Sequence, residues 1–299
     1  MGGVAGPQLA AAVSNVGCGG VIGLYKLDGS ATQQAVGATA RLTDRPFGVN
    51  MIPEVLDAAM LAAQIDATIE ASGPTTFFTF FGMPPAAALS RIASAGRRTL
   101  VQVGSVADAD RAAAAGVCAC IVQGHEAGGH HLGSSPLESL LGQIRRRQPE
   151  LTLIGAGGIC SGGQLRRIEA LGAEGCWCGT LFLATAESNA HEHFKRRVVA
   201  AKASDTVVTE AFDIGWPGRP HRVLRNRSVD GHGQLDSSFI ATTTVAGRRF
   251  PIARFSAAVP TAQTQGRVEE MAMYCGTACA AVTAMAPVAQ VIDSFLQSR

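Results

Sequence analysis

Val117-Cys118-Ala119-Cys120-Ile121-Val122 is an unbroken apolar run, and it ends in Gln123-Gly124-His125-Glu126-Ala127-Gly128-Gly129-His130-His131. A short apolar run that stops at a glycine-rich loop reads as a buried parallel strand delivering its C-terminal end to a ligand. The loop holds three glycines, one carboxylate and three of the chain's seven histidines. Glycines let the backbone close on a flat or anionic group, and histidine titrates near neutral pH, so a binding surface and a proton-transfer group meet here. If Gln123 projects from the strand end towards the ligand, Ile121 and Ala119 point into the barrel. Cys118, Cys120 and Val122 then face the helices as packing residues.

The same unit recurs on both sides of this stretch. Short β-rich runs at Gly20–Leu24, Phe47–Met51, Thr75–Phe80, Thr99–Val103, Val117–Val122, Leu151–Gly155 and Gly175–Cys178 alternate with alanine-rich helical stretches, the pattern of parallel βα units. Glycine-rich turns follow several of these strands, as on the ligand face of a (β/α)8 barrel, so that architecture ranks above a doubly wound open sheet. Only seven strands are counted, because the chain opens with a helix at Gln8–Val16. The expected fold is therefore a (β/α)8 TIM barrel without its first strand, which would sit just upstream of Met1, through a start codon placed too late or a truncated barrel with an open edge.

Two of the turns look like a phosphate site. Gly155-Ala156-Gly157-Gly158-Ile159 leads into a helix beginning near Ser161, whose first amides and dipole would favour an anion. Gly179-Thr180 follows Cys176-Trp177-Cys178 one strand later, and barrels often hold phosphate after their last two strands. Beyond Ser188 the alternation stops. The expected division is a barrel over 1–189, an inserted lobe over 190–266, and helices over 267–299 (Arg267–Ala284 and Val288–Leu296) that return to the barrel.

Composition narrows the partners. The net charge of +2 is carried by scattered basic residues, which gives no electrostatic footprint for nucleic acid. The N-terminus lacks a signal peptide's basic and apolar regions and no apolar stretch is long enough for a membrane span, so a cytoplasmic protein is expected. Eight cysteines in 299 residues do not form a small disulfide framework. Cys118/Cys120 and Cys176/Cys178 lie in apolar strands and read as packing, so no metal is expected. Glu126 reads as a structural hydrogen-bond acceptor, and Asn50 either faces the ligand or caps the helix near Pro53.

With Phe47-Gly-Val-Asn50, Gln123–Gly133 (QGHEAGGHHLG), Gly155–Ile159 (GAGGI) and Gly172–Ser188 (GAEGCWCGTLFLATAES) in place, the chain resembles the nitronate monooxygenase family over nearly its whole length. The resemblance implies an FMN-dependent barrel. Asn50, Gln123 and Gly128 would contact the flavin. Gly158 and the run Trp177-Cys178-Gly179-Thr180 would hold its phosphate end, Met1 and Gly2 would line its ring system, and His130 would be the catalytic base. The sequence departs from the family where His131-Leu132 stands before Gly133, which lengthens the loop by one residue and leaves His131 as an alternative base. It departs again where Trp177-Cys178 replaces Gln-Met.

The implied reaction is oxidation of alkyl nitronates, and of nitroalkanes, by O2 to carbonyl compounds and nitrite. Two alternatives stand beside it: an NAD(P)H-dependent flavin reductase acting on quinones or enoyl thioesters, and a vestigial flavin-binding chain without turnover, held in a homo-oligomer that covers the open edge.

Overall fold

The computed structural model describes residues 1–245 and 247–298. Its first part alternates helix and strand: α1 (Pro7–Asn15), β1 (Gly20–Gly23), α2 (Gly29–Ala40), β2 (Phe47–Met51), α3 (Ala58–Ala71), β3 (Phe77–Phe81), α4 (Ala86–Ser94) and β4 (Thr99–Val103). The alternation continues through α5 (Val106–Ala114), β5 (Ala119–Gln123), the two-residue β6 (Gly129–His130), α6 (Leu137–Arg147), β7 (Leu153–Ala156), α7 (Gly162–Ala170) and β8 (Gly175–Trp177). Seven of these strands form one parallel sheet in the order β1-β2-β3-β4-β5-β7-β8. This is the sheet of a TIM barrel with seven strands, and among the described residues no ladder joins β1 to β8.

The strands are nearly continuous apolar runs because both faces are covered. Cys120 and Val122 of β5 pack with Leu137, Leu140, Leu141 and Ile144 of α6, the side expected from the two-residue period. Each of those large aliphatics contributes roughly 1.5–3 kcal/mol by leaving water. Cys118, just before the strand, is exposed and is not a packing residue as expected; the strand begins only at Ala119.

The gap between β1 and β8 is spanned by the chain's first residues. The Gly23 N–H donates to the Ala5 carbonyl (3.0 Å), and a Cβ at Gly179 would stand 3.5 Å from Met1 Sδ. Leu9 and Val13 of α1 pack there on Val288 and Ile292 of the last helix. A cavity of ≈ 310 Å³ remains in this seam, bordered by Cys18, Cys176 and Phe295.

After β8 come α8 (Glu192–Val199), β9 (Thr206–Thr209), β10 (His221–Leu224), α9 (Arg227–Asp230), β11 (Phe239–Val245), β12 (Arg248–Ala253) and α10 (Val288–Gln297). The segment expected as an inserted lobe, 190–266, contains the antiparallel pair β11–β12. The helix expected over Arg267–Ala284 does not form. Short 3-10 turns stand there, at Val268–Glu270 and Thr277–Ala281. Gly276 explains part of this: a Cβ on it would lie 2.7 Å from the Gly128 amide nitrogen, so the segment runs past the site as irregular backbone.

Candidate functional site

A cavity of ≈ 570 Å³ opens at the C-terminal ends of the strands. All eleven residues singled out from the sequence border it: Met1, Gly2, Asn50, Gln123, Gly128, His130, Gly158, Trp177, Cys178, Gly179 and Thr180. His125 and His131 do not.

One end of the cavity is walled by main chain. The loop after β5, the turn after β8 and the Cys275–Thr277 segment are laced together. The Gly276 N–H donates to Thr180 Oγ1 (3.0 Å), and the Thr277 N–H to the Glu126 carbonyl (3.0 Å). Gly128 is what lets two of these loops touch, since a Cβ there would lie 2.5 Å from the Gly276 amide nitrogen. Glu126 accepts from the Leu137 N–H (3.1 Å) at the start of α6, the structural role read from the sequence.

The start of α7 corrects an expectation. Its Gly162 and Gly163 amides donate to Ser298 Oγ (2.9 Å) and to the Ser298 carbonyl (3.1 Å) at the end of α10. The helix N-terminus is thus capped by the chain itself, and the cavity is bordered instead by the turn preceding it, Gly157–Gly158, and by Gly179–Thr180 after β8. Behind them the Cys178 thiol lies 3.8 Å from Cys176 Sγ, and that neighbour together with burial pushes its pKa well up, so it packs as a neutral thiol.

The other end is made of side chains. Gln123 donates through Nε2 to the His130 carbonyl (2.8 Å) and accepts at Oε1 from the Leu132 N–H (2.9 Å). It therefore fixes the path of the loop that carries His130. Asn50 does not cap a helix; its Nδ2 donates across the sheet to Thr79 Oγ1 (2.9 Å). His130 pairs with His221 of β10, which pins it over the barrel mouth. The neighbouring His131 is committed elsewhere, with Nε2 2.8 Å from the Ala127 carbonyl.

His130 is buried, and among the described residues its Nε2 has no hydrogen-bond partner. Burial, followed by the charges of His221, Arg219 and His131, lowers its pKa to about 2, so the ring is neutral at working pH. The Trp216 indole stacks on it with centroids 3.7 Å apart and planes 15° apart. His221 and Tyr274 lie at 4.9 Å and 5.1 Å. Trp216 is held in turn by Glu54, which accepts from its Nε1 and from Arg219 Nη2 (2.6 Å).

None of Trp216, Tyr274, Tyr25 or Glu54 was singled out from the sequence. A signal did exist: the chain has two tryptophans and two tyrosines, and all four border this cavity. Rare amphipathic rings converging on one place are what a ligand site uses.

The chain is similar to known proteins over its whole length. The family model described as nitronate monooxygenase matches residues 1–298. A Rhodococcus jostii protein named (3aS,4S,5R,7aS)-5-hydroxy-7a-methyl-1-oxo-octahydro-1H-indene-4-carboxyl-CoA dehydrogenase is 33% identical over 230 residues, 77% of this chain and 62% of that one. The chain thus spans about three fifths of that relative's length. Among solved structures, FabK from Thermotoga maritima superposes with a TM-score of 0.79 at 28% identity, over 100% of this chain and 91% of that one. Nitroalkane oxidase from Streptomyces ansochromogenes does so with a TM-score of 0.78 at 26% identity, over 100% and 93%. The chain belongs to the nitronate monooxygenase family and has the fold of flavin oxidoreductases of this type.

Proposed function

We propose that the protein oxidises alkyl nitronates with O2, using FMN bound in the ≈ 570 Å³ cavity, to a carbonyl compound and nitrite. Nitroalkanes would enter the same reaction after loss of their α-proton. The observation that carries the reading is a neutral imidazole, His130, which has an unpartnered Nε2 and borders the same cavity as a cradle of glycine backbone.

The residues fit a flavin. The cavity falls within the roughly 300–1,000 Å³ usual for cofactor pockets. Its glycine end lets main chain approach a phosphate, with Gly158, Gly179 and Thr180 placed to hold it and Trp177 and Cys178 contributing through their backbone. Met1, Gly2, Asn50, Gln123 and Gly128 would surround the ring system. When bound, the flavin supplies electron transfer and oxygen activation, while the protein supplies position and electrostatics.

His130 would take the α-proton of a nitroalkane at Nε2. Burial makes its imidazolium costly on its own, but proton transfer creates a nitronate anion beside it, and the ion pair offsets that cost. A preformed nitronate needs no base. His130→Asn is therefore expected to lower kcat/KM for nitroethane by about 10²–10⁴-fold while changing ethylnitronate turnover only a few-fold, within the size of one lost hydrogen bond. Equal losses on both substrates would remove His130 from the proton step.

The similarity to a protein named as a carboxyl-CoA dehydrogenase favours a second reading, an NAD(P)H-dependent reductase acting on enoyl thioesters or quinones. Anaerobic addition of each reductant to the yellow protein separates the two. Bleaching by NADH supports the reductase; bleaching by ethylnitronate with no response to NADH supports the monooxygenase.

A further inference from the structure

The proton-handling end of the cavity is shut. His130 Nε2 is buried and unpartnered, and Trp216 covers one face of the ring. Some element has to move before a substrate can reach that nitrogen.

The segment that carries Trp216 lies between two glycines. Gly215 (φ +93°) and Gly218 (φ +66°) flank Trp216-Pro217, both in the left-handed region that glycine enters without cost. Outside these hinges the chain is anchored. Ile214 exchanges backbone hydrogen bonds with Phe255 (3.0 Å) and Ala257 (2.9 Å), and the Pro220 carbonyl accepts from the His131 N–H (2.8 Å). Between the anchors, the indole packs on Phe81 and Tyr25, and the polar fastenings to the barrel are Lys26 Nζ on the Gly215 carbonyl (2.8 Å) and Glu54, which binds both Trp216 Nε1 and Arg219. Glu54 and Arg219 remain about one-third exposed, at 30% and 31% of their side-chain surface, so water can compete for this catch.

We propose that Trp216 gates the site. The Gly215–Arg219 strap lifts its indole off His130, Glu54 is the catch that holds it down, and Nε2 becomes reachable only in the released form. The indole also sets which substrates enter, because the space it vacates is the space next to the base. The functional consequence rests on the reading of His130 as the base; the covering itself does not.

Diethyl pyrocarbonate, which acylates neutral imidazole nitrogen, reads the gate without turnover. His130 is neutral at pH 7, so only its covering protects it. Labelling rates of single histidines in the flavin-loaded protein are measured by peptide mass spectrometry. In the parent protein His130 should react at least about tenfold more slowly than the exposed His232, as a site that needs local opening does. Trp216→Ala should raise the His130 rate about tenfold and Glu54→Ala about threefold, while Trp216→Phe, which keeps a ring over His130 but loses the Nε1 bond to Glu54, should fall between the parent and Glu54→Ala.

Equal His130 rates in the parent, Glu54→Ala and Trp216→Ala would overturn the proposal, as would a parent rate matching His232. The fully buried His221 reports general loosening. If it too becomes reactive in Trp216→Ala, the Glu54→Ala variant decides, and an unchanged His130 rate there overturns the gate. Should labelling follow the expected pattern while His130→Asn spares nitroethane turnover, the gate stands and the base assignment falls.

Discussion

The two ends of the cavity are made of different materials. Around Gly128, Gly158 and Gly179 the wall is main chain, drawn from turns that directly follow β5, β7 and β8. Around His130 the wall is side chain: Trp216 from the strap before β10, Tyr274 from the irregular segment near the C-terminus, Tyr25 just after β1 and Phe81 at the end of β3. A backbone cradle tolerates changes of side chain but not of backbone volume. An aromatic cage has the opposite sensitivity, because its contacts are ring faces and a few hydrogen bonds. The first end suits a ligand that stays bound, and the second suits one that comes and goes.

The strongest way to break this contrast is to add one carbon to the cradle. A Cβ at Gly128 would lie 2.5 Å from the Gly276 amide nitrogen and 2.6 Å from the Cys275 carbonyl carbon, so Gly128→Ala must push two loops apart. Overpacking of this kind costs about 1–3 kcal/mol, and flavin retention, read from the ratio of visible to ultraviolet absorbance, should weaken by on the order of 10²-fold. Gly175→Ala is the control, because none of the described residues lies within 4 Å of a Cβ there. If the two variants keep flavin equally well, the cradle is not made of close backbone contacts.

That difference in material also explains what could be read in advance. Each cradle turn is local: a strand, then glycine, within a few residues, so Gln123–Gly129, Gly155–Gly158 and Gly179–Thr180 were legible as one ligand face. The seven strands were legible for the same reason, to within one or two residues at their ends. The aromatic end was not, because Trp216 meets His130 only through the pairing of β6 with β10, a contact across 91 positions that no local pattern encodes. The helix expected over Arg267–Ala284 failed on the same ground. Its small apolar residues suit a helix locally, but the place of Gly276 against Gly128 requires irregular chain. The cap of Ser298 on α7 is a third instance of two distant segments deciding what one segment cannot.

Acid should act on the second end. His130 is held near pKa 2, and burial also lowers His131 and His221. The unfolded chain takes up these protons near pH 6.5, whereas folded His130 does not until about pH 2. The unfolded state thus binds more protons through that window, and stability is full above pH 6.5 and declines as pH falls. One such group changes stability by up to about 1.4 kcal/mol per pH unit. The urea midpoint should fall between pH 7 and pH 5, and His130→Asn should flatten the slope. An unchanged slope would mean that His130 is protonated in the native state and that its end of the cavity is open to water.

The gentlest perturbation tests whether the two ends are independent. Tyr274 Oη donates to the Ala257 carbonyl (3.1 Å), and the Ala257 N–H donates to the Ile214 carbonyl at the root of the Trp216 strap. Tyr274→Phe keeps the ring beside His130 but leaves that carbonyl without its donor, a loss of about 1 kcal/mol. In a chain of this size that corresponds to a Tm lowered by about 2–4 °C. Flavin content should not change, because no atom of the glycine cradle is touched. Loss of flavin in Tyr274→Phe, as large as that in Gly128→Ala, would show that the aromatic end holds the cradle in shape. The cavity would then be one structure, and its division into a part that retains a ligand and a part that admits one would fail.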